Sequence, residues 1–298
     1  MEGSAPAHRT SPASSGSQRL RTGAGLLLLV LAYVVLAWVG SQGRWHRLVA
    51  FGPWPLTAVI LAAAGAFLGL LLWITLLSAK LEMRLWHQAA AAIVAAAIFW
   101  PARKWGLWVA GDLALFFAAV LAGLLAARAV REPNMLVPIA VVAAMVDIWG
   151  VYWGFVAHIM EKAPQVAESF SAQLPISGKE MAALPLVSSV GAGDMLFAAL
   201  FFGCVWKFGL PVRRTAAAMW TAVLLGPVVV MVAAQATGRE LRVLPGLPFL
   251  AAAVLAANWK QFDLSRSEKR ATFWCVFICA GAIAIYTALR HFLRAGAG

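Results

Sequence analysis

The sequence predicts an all-α polytopic membrane protein with about nine transmembrane helices, and three observations carry that prediction. Of 298 residues, 62% are hydrophobic and only 12% charged, where a soluble domain averages about 25% charged. The apolar residues fall in runs of the length that a hydrocarbon core about 30 Å thick demands, roughly 20 residues per helix. Many of the 14 tryptophans sit at the ends of these runs, among them Trp38, Trp54, Trp86, Trp100, Trp105, Trp206 and Trp259, where amphipathic rings mark the headgroup level.

Residues 1–22, "MEGSAPAHRTSPASSGSQRLRT", are basic and rich in Ser, Ala, Pro and Gly, and predict a disordered tail. The apolar run that follows has no small-residue cleavage site before the next loop, so it reads as an uncleaved span rather than a signal peptide. The spans are expected at approximately 23–40, 53–78, 86–101, 105–127, 135–158, 185–206, 215–236, 244–259 and 272–289. Those at 86–101 and 244–259 are short, and the first of them could be partly re-entrant. This organises the chain into an N-terminal bundle of about four spans over 23–134, a region over 135–260 that holds the candidate chemistry, and a further span and tail over 261–298. Linkers are short except for residues 159–184, the one loop with net negative charge, which Pro164 and Pro175 divide.

A formal charge of +12 would suit nucleic acid, but its distribution argues otherwise. Lys and Arg occur in short clusters between apolar runs, such as Arg103-Lys104 and Arg213-Arg214, and read as loop charges that meet anionic lipid headgroups. On the nine-span map 14 of the 24 Lys and Arg lie on the side of the N-terminus. The excess predicts a cytoplasmic N-terminus and puts 159–184 on the far side. The Ala/Leu/Gly/Arg bias suggests a bacterial or archaeal plasma (inner) membrane. Cys204, Cys275 and Cys279 form neither a paired framework nor a metal-ligand spacing with histidine, and no metal or cofactor is expected. His158, the histidine nearest the candidate site, reads as an interfacial residue.

The whole chain has four aspartates, Asp112, Asp147, Asp194 and Asp263, and three of them fall in spans. A carboxylate in lipid costs roughly 2.5–3.5 kcal/mol on insertion scales, so each needs a reason. Asp147, in "IAVVAAMVDIWGVYWGFV", and Asp194, in "SSVGAGDMLFAALFF", lie on consecutive antiparallel spans. At about 1.5 Å per residue they fall roughly 16 and 14 Å below the same membrane face. If the helices pack with those faces together, the carboxyls meet. Two carboxyls in hydrogen-bonding range share one proton. The ionised member can deprotonate water while the protonated one polarises a carbonyl, the division of labour in aspartic proteases. Asp112, in "WVAGDLALFF", fits a structural, hydrogen-bonded role better than a functional one.

Gly191 and Gly193 remove side chains before Asp194 and let a neighbouring helix or a substrate backbone approach. The alternative is a small-residue packing patch with Asp194 satisfied by Ser188 or Ser189. Further along, Pro245-Gly246-Leu247-Pro248 opens the eighth span on the same membrane face as the 159–184 loop. Two prolines there remove backbone donors and leave irregular backbone, tolerated at membrane depth only inside protein or beside a wet cavity. Such backbone could pair with an extended substrate segment.

Taken in order, these features resemble the presenilin and signal peptide peptidase family of GxGD intramembrane aspartyl proteases. The matching residues are Asp147, then Gly191-Ala192-Gly193-Asp194, then Pro245-Gly246-Leu247-Pro248 two spans later, within roughly 135–260. The resemblance implies a presenilin-like bundle, catalysis by Asp147 and Asp194, support from Gly191 and Gly193, and substrate contacts at Pro245, Gly246, Leu247 and Pro248. It implies no cofactor. The substrates would be single-span membrane helices or leftover signal peptides, unwound locally before cleavage, with membrane lipids the other partner and nucleic acid none. The segments "LPISG" at 174–178 and "ELRV" at 240–243 are candidates to hold the unwound strand. The chain departs from the family in having Val146 where Tyr usually precedes the first aspartate, and Gly246 for the Ala of the proline motif. It also has four spans before Asp147 and one beyond the PGLP span, where the family has five and none. The short loop between the aspartates predicts no autoproteolytic maturation.

Three rivals remain. Intramembrane aspartates also mark proton- or ion-coupled transporters, although no inverted repeat of broken helices is visible. Prepilin-type peptidases share GxGD, but a basic residue usually follows it there, and Met195-Leu196 follow here. A catalytically silent relative that binds membrane helices would keep the scaffold, and Val146 keeps this reading open.

Overall fold

The structure, a computed structural model, describes residues 12–41, 53–81, 83–162, 171–173, 189–237 and 245–295. The chain is mostly helical. In order, the elements are α1 (Pro12–Ser41), α2 (Pro53–Lys80), α3 (Leu85–Lys104), α4 (Trp108–Ala129), α5 (Leu136–Tyr152) and the short α6 (Phe155–Lys162). Two three-residue strands follow, β1 (Ser171–Gln173) and β2 (Ser189–Gly191). Then come α7 (Ala192–Lys207), α8 (Val212–Thr237), α9 (Leu247–Asn258) and α10 (Arg266–Ala295).

Among the described residues four helices are long and apolar enough to cross a membrane: Leu85–Lys104, Trp108–Ala129, Pro133–Tyr152 and Arg266–Leu289. The nine hydropathy segments are thus reduced to four by that measure. For two of the others the reason is length: α7 has 16 residues and α9 only 12, short of the roughly 20 that a bilayer core needs.

Several boundaries differ from the sequence expectation. Disorder was expected through residue 22, yet α1 begins at Pro12, a residue pre-set for the first helical position. The span expected over 135–158 breaks at Trp153-Gly154, whose amides both donate to the Trp149 carbonyl at 2.8 Å. The turn needs glycine there, because a Cβ at Gly154 would stand 2.8 Å from the Gly150 Cα. The span expected from 185 starts as a helix only at Ala192, because Ser189–Gly191 pairs as a strand with β1. The register is antiparallel, with Ser171 opposite Gly191, Ala172 opposite Val190 and Gln173 opposite Ser189.

The helix α7 is the axis of the molecule, packed against α2, α4, α8 and α9. Its buried residues enter two cores at once. Phe201, Phe202 and Val205 pack with Leu136, Ala140 and Val254, while Ala199 and Met195 join Tyr33, Phe67, Phe116 and Val120. The α4–α7 contact is close because glycine permits it: a Cβ at Gly123 would lie 2.0 Å from the Leu196 carbonyl oxygen. Outward faces carry Trp86, Ile93, Val229, Phe277 and Ile278, all exposed. On a membrane-embedded bundle such faces meet lipid.

α10 rests on α5. Trp149 Nε1 donates to Thr287 Oγ1 at 3.1 Å, and the Trp149 ring meets Tyr286 edge-on at 5.1 Å. At the other end Asn134 Nδ2 donates to the Asp263 carbonyl and to Glu268, at 2.8 and 2.9 Å.

Candidate functional site

The GAGD string is a helix start. Gly191 is the N-cap of α7, in extended conformation, and Asp194 is the third helical residue. There its carboxylate accepts the Gly191 N–H, half of the reciprocal arrangement known as a capping box. The first turn of a helix also presents unpaired amides and the positive end of the helix dipole, so an acid is stabilised there. This local physics explains how an apolar run tolerates Asp194. The serine-satisfied alternative is not what the described contacts display, since the partner is a backbone amide; Ser188 lies outside the described residues.

The PGLP string is a second helix start. Gly246 is the N-cap of α9, with Leu247 and Pro248 its first two residues. Proline lacks an N–H, so Pro248 leaves one donor fewer to satisfy. The Leu247 N–H is satisfied from another helix: it donates to Asp147 Oδ2 at 3.0 Å. Charge-assisted hydrogen bonds of this kind contribute about 1.5–3 kcal/mol.

The two motifs meet at this point. A Cβ added to Gly246 would lie 2.6 Å from Asp194 Oδ1 and 3.0 Å from Oδ2. Asp194 therefore abuts Gly246, Asp147 holds the amide of Leu247, and the charge of Asp147 acts on Asp194. The two acids converge on consecutive residues. They do so through the start of α9, for α5 packs mainly on α9 and α10, and α7 mainly on α4 and α2, rather than on each other. Direct helix–helix packing was the expected route, and a third helix mediates instead. The expected depths change too. Asp147 lies five residues before the end of α5, and Asp194 two residues past the start of α7, so they sit about 8 and 3 Å from their helix ends.

Gly191 also borders the carboxylate, since its Cβ would lie 3.3 Å from Asp194 Oδ2, whereas Gly193 has open space beside it. Pro245 is buried. The segments 174–178 and 240–243 lie outside the described residues. Among the described residues no group of three or more His, Cys, Asp or Glu is placed to hold a metal ion.

A cavity of about 670 Å³ opens beside Asp147, the one charged group in its wall, and is otherwise bounded by Pro138, Ile139, Val142, Val146, Phe197 and Leu247, with Cys275 contributed by α10; Asp194 does not line it. Val146 faces this space and is 45% exposed. Sequence reading gave neither Trp149, which also lines the cavity and anchors α10, nor Cys275 any part here.

The third acid has a separate fate. Asp112 forms an ion pair with Arg103 at 2.5 Å, both side chains about nine-tenths buried. The Arg103-Lys104 pair was expected in a membrane-flanking loop; both belong to the last turn of α3. The nine-residue separation of Arg103 and Asp112 across a three-residue connection was the available signal. Asp147, Asp194 and the Gly246-Leu247 backbone thus come together next to an apolar recess. Compared with family models, curated proteins and solved structures, the chain matches none.

Proposed function

We propose that the protein is an intramembrane aspartyl protease, resembling the presenilin and signal peptide peptidase family, with Asp147 and Asp194 as its catalytic pair. The observation that carries the reading is the convergence of both acids on Gly246 and Leu247 of the PGLP start. In this reading the ionised aspartate takes a proton from water, whose oxygen forms a bond to the scissile carbonyl carbon. The other aspartate donates its proton to the carbonyl oxygen. The tetrahedral intermediate then collapses: the C–N bond breaks, the amine nitrogen takes up a proton, and the pair returns to sharing one proton.

The nine apolar segments would form a presenilin-like bundle in a plasma (inner) membrane with a cytoplasmic N-terminus. Substrates are single-span helices or signal-peptide remnants, whose apolar side chains suit a cavity with one charged group in its wall. A transporter has less support, because Asp112, the third acid on which an ion path would draw, is neutralised by Arg103.

The test is cleavage of a single-span test helix in reconstituted membranes by wild type, Asp147→Asn and Asp194→Asn. Wild type should cut, and each variant should lose at least a hundredfold. Equal cleavage by all three would reject the assignment. Binding of the helix without cleavage by wild type would favour a silent relative.

A further inference from the structure

The strongest charge constellation outside the aspartate pair is the one around Arg103. It draws together four elements. Arg103, at the end of α3, puts one guanidinium nitrogen between Asp112 Oδ1 of α4, at 2.5 Å, and the Ser171 carbonyl oxygen of β1, at 3.1 Å. The guanidinium carbon lies 5.8 Å from the Phe99 ring and 5.2 Å from the Trp108 ring, and Tyr33 of α1 is within electrostatic reach of both charges. Gly111 leaves room for the stem, since a Cβ there would stand 3.1 Å from Arg103 Cδ.

A buried ion pair of this kind is weak evidence for stability, because desolvation offsets most of the attraction. Its geometry has a more specific consequence. Ser171 is paired with Gly191, and Gly191 is the N-cap whose amide holds the Asp194 carboxylate. An unbroken chain of contacts thus runs from Asp112 through Arg103, Ser171 and Gly191 to Asp194.

We propose that Arg103 is a positioning residue: held by Asp112, it anchors β1, and through the β1–β2 pair it fixes the approach and orientation of Asp194. A two-stranded pair of three residues each is marginal alone, so it depends on what holds β1 from outside, the packing of β1 on α4 and the Arg103 hydrogen bond. The proposal rests on the protease reading for its catalytic consequence but not for its structural one.

The test uses the full chain in lipid nanodiscs with two readouts: hydrogen exchange of the Ser189–Gly191 amides, and cleavage of the test helix. In Arg103→Gln the strand amides should exchange at least tenfold faster while α5 and α9 stay protected. The kcat should fall on the order of tenfold with KM within twofold, as expected for a misplaced reacting group. Arg103→Lys keeps a donor nitrogen and should stay within about threefold of wild type. A disulfide across the paired positions, Ala172→Cys with Val190→Cys, should restore kcat in the Arg103→Gln background, a rescue that a general packing role would not give.

Unchanged exchange in Arg103→Gln, lost protection with unchanged kcat, or failure of the disulfide to rescue would each overturn the proposal. A wild type that cuts nothing, beside an Arg103→Gln whose strands lose protection, would uphold the anchor and reject the protease. Should Arg103→Gln fail to fold, Asp112→Asn decides by the same readouts, since it frees Arg103 while keeping a neutral acceptor.

Discussion

Gly246 lacks a side chain where Asp194 fills the space: a Cβ would stand 2.6 Å from Oδ1 and 2.9 Å from the carboxyl carbon. Gly246→Ala forces the carboxylate to swing away or α9 to withdraw. Cleavage should fall about tenfold or more, and stability by about 1 kcal/mol or more, since Ala is a poorer N-cap than Gly and here also meets the carboxylate. Full activity in Gly246→Ala would show that the observed proximity is irrelevant to the working state.

The parts of this site that could be read from sequence share one property. Asp147, Asp194, Pro245 and Pro248 are out of place in apolar runs, and a residue that costs free energy in lipid announces itself. What stayed hidden depended on where helices begin. Hydropathy averages over a window and is blind to backbone direction, so "DIWGVYWGFVAHI" read as one span although it turns at Trp153-Gly154. For the same reason Asp194 was placed well inside a helix instead of in its first turn. A cap-based reading of Gly191 followed three residues later by Asp194 would have put the helix start at 192. The partnership of Arg103 with Asp112 was masked because a cation near a span end is ordinarily a headgroup ligand. Two strands of three residues fall below any periodic signal.

Cys275 gives chemical access to the cavity. It is exposed and lines the space that Asp147 also lines, whereas Cys204 is buried in the core. A small membrane-permeant maleimide should alkylate Cys275, fill part of the recess and lower cleavage several-fold or more. Cys275→Ala should cleave normally and resist the reagent. Inhibition that persists in Cys275→Ala would place the sensitive thiol elsewhere and remove the cavity from the substrate path.

Gly123 tests the axis on which Asp194 is mounted. No side-chain rotation relieves a Cβ placed 2.0 Å from a backbone carbonyl oxygen, so Gly123→Ala must push α4 and α7 apart. Overpacking of this sort costs about 1–3 kcal/mol. The melting temperature should drop by several degrees, and activity should drop with it because α7 carries Asp194. A variant as stable as wild type would mean that α4 and α7 do not pack in this register.

The helix that follows α9 supplies the last prediction. α10 is held to α5 by the Trp149–Thr287 hydrogen bond and the Trp149–Tyr286 ring contact, two residues from Asp147. It closes the cavity on one side through Cys275. Thr287→Val keeps the volume and removes the acceptor, leaving the indole N–H unsatisfied at a cost of about 1 kcal/mol. That shifts the docked-to-undocked ratio of α10 about fivefold. Alkylation of Cys275 should accelerate by a similar factor, while melting of the bundle shifts little because α10 packs on α5 at the periphery. A Thr287→Ser variant preserves the acceptor and should alkylate at the wild-type rate. Identical rates in all three proteins would show that the Trp149–Thr287 bond does not control access to the cavity.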